Sequence, residues 1–306
     1  MINFDNKARI FSNPELQNMF NTEGYVILDF LNMDEVKYLK QLFDDLHPQG
    51  VTGFYTSTFA IDTDYRKKVD DEIQLTMRRG LEHFFTDYKI YCGSYIAKAP
   101  GEKSELILHQ DMTLVDETKY TGTNIWIPLV DLDLKNGAIE VLPRSHRLFR
   151  TYRGSSLPDI YDGMVNEVKS LMQPCYLKAG QAIVFDQSII HYSPPNLSHE
   201  VRPVVNTFVT HKEATIKICY WDKQRQGEIE MFDQEEDFMV NFQNFGNDIF
   251  SRPSIGKSLG YVPYDFPKID TELLIKEYNY VPKQPVEEKG VKKGFWERLF
   301  LNKKGS

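Results

Sequence analysis

The pattern of apolar and polar residues changes near residue 90. Before that point, apolar residues recur at helical spacing in residues 34–43 and 69–87, which predicts two amphipathic helices. Asp34 stands where it could cap the first of them. A shorter helix and an apolar, strand-like run are predicted within residues 12–31, and the polar residues 47–67 are expected to form a loop. The N-terminal part of the chain is therefore expected to be mainly helical.

After residue 90 the pattern becomes a series of short β-rich runs separated by turn-forming residues. Strands are predicted at residues 90–97, 106–111, 123–129, 138–142, 175–178, 182–185 and 204–209. Many short strands without intervening helices favour an all-β sandwich or barrel. The expected fold is thus mainly β, with helices packed on its outside.

This pattern predicts one domain over residues 1–282, followed by a basic tail. Within the domain we expect N-terminal helices over about 12–88, a β core over about 90–212 and a C-terminal extension over 213–282. Residues 146–173 interrupt the rhythm of strands and contain a helical stretch near residues 164–172. A long insertion in a compact domain is often a lid or a binding loop, and a surface excursion without a role is the alternative.

Composition and charge narrow the class of protein. A chain of 306 residues, 41% of them hydrophobic, can bury a sizeable core. The formal net charge of −8 argues against a general nucleic-acid role. The sequence contains no apolar run long enough for a membrane span and no signal-peptide pattern, so a cytoplasmic location is expected. Three widely separated cysteines do not suggest a disulfide framework.

The tail, residues 283–306, differs from the body because it is basic and contains a short apolar segment at 294–301. Such a segment could dock on a membrane surface or on a partner. Packing of a terminal helix on its own domain, or a frayed terminus, is the alternative.

Three residues suggest a metal site. Side chains two apart on a strand share a face, so His109 and Asp111 can point together into a barrel while Gln110 points away. His191 follows another predicted strand. Two imidazoles and one carboxylate can hold a metal on one face and leave the other open, as in non-haem Fe(II) oxygenases.

Arg202 suggests a second ligand that carries a carboxylate. A guanidinium can grip a carboxylate through two parallel hydrogen bonds, which lysine cannot do. If His191 and Arg202 lie on paired antiparallel strands, both can point inward. Ser193, two residues beyond His191, could donate a hydroxyl hydrogen bond to the same carboxylate.

Taken together, these motifs resemble the phytanoyl-CoA dioxygenase family over about residues 20–212. The resemblance is carried by His109-x-Asp111, by the segment Asn136-Gly137-Ala138-Ile139-Glu140-Val141-Leu142-Pro143-Arg144-Ser145-His146, by His191-x-Ser193-x-x-Asn196 and by Arg202. It implies a double-stranded β-helix core and a dependence on Fe(II), 2-oxoglutarate and O2.

The resemblance also implies roles for single residues. His109, Asp111 and His191 would be the iron ligands, and Arg202 and Ser193 would bind the distal carboxylate of 2-oxoglutarate. Trp126 matches a position that flanks the co-substrate, with plain core packing as the alternative. Halogenases of this family replace the carboxylate ligand by Gly or Ala. Since Asp111 is present, hydroxylation of an unactivated C–H bond, with release of succinate and CO2, is favoured over halogenation.

The oxidised substrate is expected to be a small molecule, an amino acid or peptide, or an acyl compound. Its pocket is expected at the mouth of the barrel, with walls from loop 112–122 and from the insertion 146–173, and loop 47–67 is a further candidate. The residues proposed to contact substrate are Thr113, Tyr120, Arg150 and Arg153. Arginine recurs at every third position from 144 to 153, so the substrate could be anionic or linked to a carrier, with a solvated basic loop as the alternative.

Two other functions remain compatible with the sequence. One is a non-catalytic β-barrel binding protein that keeps the fold, which the intact ligand set argues against. The other is a metal-dependent hydrolase or isomerase of the cupin type, in which Arg202 would have no obvious role.

Overall fold

The computed structural model describes residues 7–149, 151–240 and 250–282. The α-helices in this part of the chain are α1 (Pro14–Glu23), α2 (Met33–Leu46), α3 (Thr63–Phe84), α4 (Val165–Lys169) and α5 (Thr271–Tyr278). The strands are β1 (Tyr25–Asp29), β2 (Phe54–Thr56), β3 (Tyr88–Lys98), β4 (Leu106–His109), β5 (Thr123–Pro128), β6 (Glu140–Val141), β7 (Gln173–Pro174), β8 (Gln181–Asp186), β9 (His191–Ser193), β10 (Arg202–His211), β11 (Ile216–Tyr220), β12 (Glu228–Gln234) and β13 (Lys257–Pro263).

Two antiparallel sheets form the core. The large sheet has the strand order β1-β8-β5-β10-β3-β2, and the small sheet has the order β4-β9-β6-β7. Trp126 and Val204 of the large sheet pack with Val141 of the small sheet, and with Ile139 directly before it, in one buried cluster. The sheets therefore face each other around an apolar interior, and the predicted double-stranded β-helix core is confirmed.

Strand β5 shows how the sequence separates the two faces of the large sheet. Ile125 and Ile127 pack in the cluster that contains the helices, whereas Asn124 and Trp126 line the interior of the barrel. This alternation follows from the two-residue period of a strand. Helices α1, α2 and α3 thus cover the outer face, and the inner face is left for chemistry.

The helix boundaries differ from the prediction at the N-termini. Asn32, not Asp34, caps α2: its side chain accepts hydrogen bonds from the backbone N–H groups of Asp34 and Glu35. The Glu35 carboxylate accepts the N–H of Asn32 in return, which completes a capping box. Helix α3 begins directly after its own cap, Asp62, so the predicted loop 47–67 is shorter than expected and contains β2.

The strand predicted at residues 175–178 is wrong. The ladder to β6 is made instead by Gln173 and Pro174. Beyond it, the N–H of Cys175 still donates to Ile139 O at 2.8 Å, and Leu177 O accepts from the N–H of Leu132. Cys175 and Leu177 are buried because their side chains pack into the apolar interior, not because the segment extends the sheet, and Tyr176 between them is half exposed.

The extension beyond residue 213 forms a third sheet with the order β11-β12-β13, followed by α5. Ile216, Ile218 and Phe232 of this C-terminal sheet pack with Tyr91 and Phe208, which come from β3 and β10. The sheet therefore covers one end of the barrel. Within the described residues, no helix has the length and apolar character to cross a membrane. The basic tail 283–306, and its predicted docking, lie outside them.

Candidate metal centre

His109 and His191 lie directly opposite each other on the small sheet. The antiparallel pairing of β4 with β9 places His109 against His191, and their ring centroids are 3.9 Å apart. Asp111 follows β4, and its carboxylate oxygens lie 3.9 Å from His109 Nε2 and 3.8 Å from His191 Nε2. One ligand atom from each of the three residues lies within 4.8 Å of the others, so the structure brings the predicted triad together.

The environment of the histidines suits metal binding. Burial, reinforced by the neighbouring His191, holds the pKa of His109 well below its usual value, so that its imidazole is neutral. His109 Nδ1 lies 2.8 Å from Ile107 O, and His191 Nδ1 lies 3.1 Å from Ile189 O. A backbone carbonyl on one ring nitrogen fixes the tautomer and turns the other nitrogen towards the metal position.

Asp111 is held at its side chain and its backbone. Asn124 Nδ2 donates to Asp111 Oδ2 at 2.5 Å, and Gln187 Nε2 donates to Asn124 Oδ1 at 3.3 Å. The backbone N–H of Asp111 donates to Gln187 O at 3.0 Å, and Arg153 Nε donates to the backbone carbonyl of Asp111 at 2.8 Å. Burial raises the pKa of Asp111, so a nearby cation is needed to keep this carboxylate charged at low cost.

Gly122 leaves room for this arrangement. A Cβ at that position would lie 2.4 Å from Gln187 Oε1, so any larger residue there would displace the Gln187 carboxamide that donates to Asn124. The same residue accepts the N–H of Gln187 through its carbonyl at 3.0 Å. The loop before β5 therefore shapes the hydrogen-bonded support of the Asp111 carboxylate.

Arg202 is a buried cation without a counter-ion. It is 1% exposed, and within the described residues no carboxylate pairs with it. Its Nε donates to Asn136 O at 3.3 Å and its Nη2 lies 3.5 Å from Ser193 Oγ, but Nη1 has no hydrogen-bond partner. Burial lowers its pKa to about 9. An unsatisfied, buried guanidinium is expensive unless a ligand supplies an anion.

The other residues predicted around Arg202 lie beside it. The Arg202 guanidinium is 5.1 Å from the ring centroid of Trp126, which matches a flanking position. The Ser193 hydroxyl donates to Gly137 O at 2.8 Å, so its lone pairs, and not its proton, face Arg202. Donation from this hydroxyl to a ligand would require it to rotate away from Gly137.

Sequence reasoning missed Lys98, which is paired with Arg202 in the sheet. Its side chain is fully buried, and Nζ donates to the carbonyls of Ser193 and Pro194 at 2.6 and 2.5 Å. Burial, with the charge of Arg202 as the next contribution, lowers its pKa to about 5. A signal was present in the sequence, because Lys98 directly follows the strand predicted at residues 90–97, and a lysine that is buried with such a strand must find hydrogen-bond partners.

One small cavity, about 70 Å³ in volume, joins the triad to this cationic end. Its lining includes His109, Asp111 and His191 as well as Trp126 and Arg202. Two imidazoles, one carboxylate and a distant guanidinium without a counter-ion around one cavity fit a divalent metal together with a dicarboxylate ligand.

The four residues proposed to contact substrate have different positions. Thr113 is buried against a second, larger cavity, and Tyr120 stacks on His211 with ring centroids 5.4 Å apart. Arg150 lies outside the described residues. Arg153 is buried and paired with Glu117, and it also donates to Asp111 and Thr151, so its hydrogen bonds are made within the protein.

Comparison with known proteins agrees with this geometry. The phytanoyl-CoA dioxygenase (PhyH) family matches residues 20–204. The chain is 30% identical over 134 residues to phytanoyl-CoA dioxygenase 1 of Oryza sativa subsp. japonica, covering 42% of this chain and 46% of that protein. It is 31% identical over 118 residues to the phytanoyl-CoA dioxygenase domain-containing protein 1 homolog of Dictyostelium discoideum, covering 35% and 41%. The chain thus spans less than half the length of these curated relatives.

Among solved structures, the non-haem α-ketoglutarate-dependent carbocyclase SnoK from nogalamycin biosynthesis superposes with a TM-score of 0.50 at 16% identity. The match covers 67% of this chain and 86% of that chain, and at this identity it shows a shared fold. Since the family match includes both strands of the triad and reaches Arg202, the chain belongs to the phytanoyl-CoA dioxygenase family.

Proposed function

We propose that the protein is an Fe(II)- and 2-oxoglutarate-dependent dioxygenase that hydroxylates an unactivated C–H bond. The observation that carries the proposal is the shared cavity, in which three metal ligands face a buried arginine without a counter-ion. Either feature alone would fit other functions, whereas together they fit a metal and a carboxylate-bearing co-substrate. The chemistry supplied by bound Fe(II) is oxidation of the substrate by O2, coupled to decarboxylation of 2-oxoglutarate to succinate.

Each residue then has a defined task. His109, Asp111 and His191 would hold the metal on one face, and Asn124 keeps the Asp111 carboxylate oriented towards it. Arg202 would bind the distal carboxylate of 2-oxoglutarate, with Trp126 against its guanidinium. The apolar walls of the barrel exclude water, which strengthens these electrostatic contacts.

Hydroxylation is favoured over halogenation because Asp111 occupies the position where a halide would otherwise bind. The candidate substrates are a small molecule, an amino acid or peptide, or an acyl compound. The names of the relatives called phytanoyl-CoA dioxygenase are the reason to include an acyl compound among these candidates. A non-catalytic binding protein and a cupin-type hydrolase or isomerase are the rival functions that the test must reject.

The test is anaerobic titration of the metal-free protein with Fe(II) and then 2-oxoglutarate. An oxygenase should develop a weak visible metal-to-ligand absorption band that requires both additions, and on exposure to O2 it should form succinate. A screen for products heavier by one oxygen atom would then identify the substrate. If neither the band nor succinate appears while the metal binds, the oxygenase proposal is rejected in favour of the rivals.

A further inference from the structure

Lys98 and Arg202 are two buried basic residues at the cationic end of the small cavity. They lie directly opposite each other on β3 and β10, and both line the cavity. Both side chains are buried, and among the described residues neither forms an ion pair with a carboxylate. Asp111 of the triad is the only carboxylate among the described residues that line the cavity. This end of the cavity therefore holds two basic groups and no anion of its own.

The hydrogen bonds of Lys98 match a neutral amine. Its Nζ donates to Ser193 O at 2.6 Å and to Pro194 O at 2.5 Å. A neutral amine has two N–H groups, and these two carbonyls accept both of them. An ammonium group has three donors, and in the described part of the chain no third acceptor lies within reach of Nζ. The charged form would thus leave one buried donor without a partner, which costs free energy.

The charges around Lys98 also favour the neutral amine while the site is empty. Burial, with the charge of Arg202 as the next contribution, lowers the pKa of Lys98 to about 5. Glu105 acts in the opposite direction, but its carboxylate is already paired with Lys169 at 3.0 Å. His109 of β4 also interacts electrostatically with Lys98, and its imidazole is neutral. The empty site therefore carries one positive charge, on the guanidinium of Arg202.

Given the proposed function, in which Arg202 binds the distal carboxylate of 2-oxoglutarate, we propose that Lys98 takes up one proton from solvent when that carboxylate binds. Directly opposite residues on paired strands project their side chains on the same face of the sheet, so an anion held by Arg202 lies on the side of Lys98. A nearby opposite charge favours the charged form of an amine. The filled site would then hold two cations around one carboxylate.

Proton uptake would make the site selective for dicarboxylates. A 2-oxo acid without a distal carboxylate brings no anion to Arg202, so Lys98 would remain neutral when such an acid binds. Because the complex with 2-oxoglutarate would contain one proton more than the empty protein, a lower pH should favour binding. Its affinity should fall by up to about tenfold for each unit of pH above the pKa of Lys98 in the empty site.

The experiment is an anaerobic calorimetric titration of the Co(II)-loaded full chain with 2-oxoglutarate, in two buffers whose ionisation enthalpies differ. The difference between the observed heats gives the number of protons that are taken up. We expect about one proton per 2-oxoglutarate at pH 7, and an affinity that decreases from pH 6 to pH 8. Pyruvate, which has the keto-acid end but no distal carboxylate, should bind without proton uptake.

Two variants locate the proton on Lys98. Lys98→Gln keeps an N–H donor for the two carbonyls but cannot be protonated, and Lys98→Met removes the donor as well. Both should lose the proton uptake, flatten the pH profile and weaken 2-oxoglutarate binding at pH 6 by about tenfold or more. Lys103→Met, at an exposed position, is the matched control and should take up a proton like the wild type.

Three outcomes would overturn the role of Lys98. They are binding of 2-oxoglutarate without proton uptake, equal uptake with pyruvate, and uptake that persists in both folded variants. Each of them would leave co-substrate binding, and with it the proposed function, intact. Absence of 2-oxoglutarate binding to the Co(II)-loaded protein would instead reject the proposed function together with the role of Lys98, so the two failures are distinguishable.

Discussion

Asn124 Nδ2 donates a hydrogen bond of 2.5 Å to Oδ2 of Asp111. The contact links β5 of the large sheet to the carboxylate that follows β4 of the small sheet. Asn124 is itself held by Gln187, which also accepts the N–H of Asp111. The orientation of the only carboxylate in the triad is therefore set by a residue of the opposite sheet.

We predict that Asn124→Ala weakens metal binding by about 10–100-fold, the usual cost of losing a partner that orients a ligand. Titration with Co(II) or Fe(II) under anaerobic conditions measures the affinity. Asn206→Ala is the matched control, because Asn206 lines the same cavity but makes no hydrogen bond to a triad residue. Equal affinities of the two variants would contradict the role of Asn124.

His191→Ala should abolish metal binding and leave the chain folded. The side chain lies in a preformed site, and its removal deletes one of three ligands without breaking an ion pair on which folding depends. Circular dichroism and a metal titration report the two properties separately. His199→Ala, at an exposed position, should behave like the wild type, and full retention of metal by His191→Ala would exclude His191 as a ligand.

Arg202→Leu should weaken 2-oxoglutarate binding by about 100-fold or more, because it removes one half of a buried charge pair. The same change should not lower the melting temperature of the ligand-free protein, since it replaces an uncompensated buried cation by an apolar side chain. Calorimetric titration with 2-oxoglutarate measures the affinity, and differential scanning fluorimetry measures the melting temperature. Unchanged affinity would remove Arg202 from the co-substrate site.

Lys98 should make stability depend on pH. Its folded pKa of about 5 lies far below the usual lysine value, so between these limits the unfolded chain binds more protons than the folded one. Stability should therefore rise as pH increases from 6 to 9, and Lys98→Met should flatten that rise. Melting temperatures of both proteins across this range provide the measurement, and parallel curves would contradict the assignment.

The Arg153–Glu117 pair should contribute more to stability than an exposed pair. Arg153→Met leaves a mostly buried carboxylate without its partner and is expected to lower the free energy of unfolding by about 3–5 kcal/mol. Arg225→Met, which breaks an exposed pair with Glu228, should cost about 1 kcal/mol or less. Urea denaturation of the two variants gives the comparison.

The sequence predicted the triad that the structure brings together better than it predicted the residues that support it. The predicted strand 106–111 ends at His109, so Asp111 lies just beyond β4, and yet the two side chains still meet His191 at one site. Asn124 could have been found as well, because it lies two residues before Trp126 and so shares the inward face of β5. Its contact with Asp111 could not, since that depends on how the two sheets face each other.

Arg153 shows where local patterns mislead. Its spacing from the other arginines suggested a solvated or substrate-binding row, yet the side chain is buried on Glu117, which lies on a different loop. The same holds for residues 175–178, where apolar character predicted a strand, whereas the structure packs Cys175 and Leu177 into the interior without adding the segment to a sheet. In both cases the deciding partner is distant in sequence, and no pattern within a short window contains it.

The direct pairing of His109 with His191 has a consequence for folding. The ladder between β4 and β9 consists of few residue pairs and is interrupted by a bulge between Leu106 and His109. An ion bound by both histidines would cross-link the two strands and so close the long loop of chain between them. Because folding has already brought the two histidines together, binding the ion would need no further loss of loop entropy, and it would stabilise the folded state. Proteolysis between residues 112 and 190 should then be slower in the metal-bound protein than in the metal-free protein. The fraction that resists cleavage would measure how much of the protein carries metal.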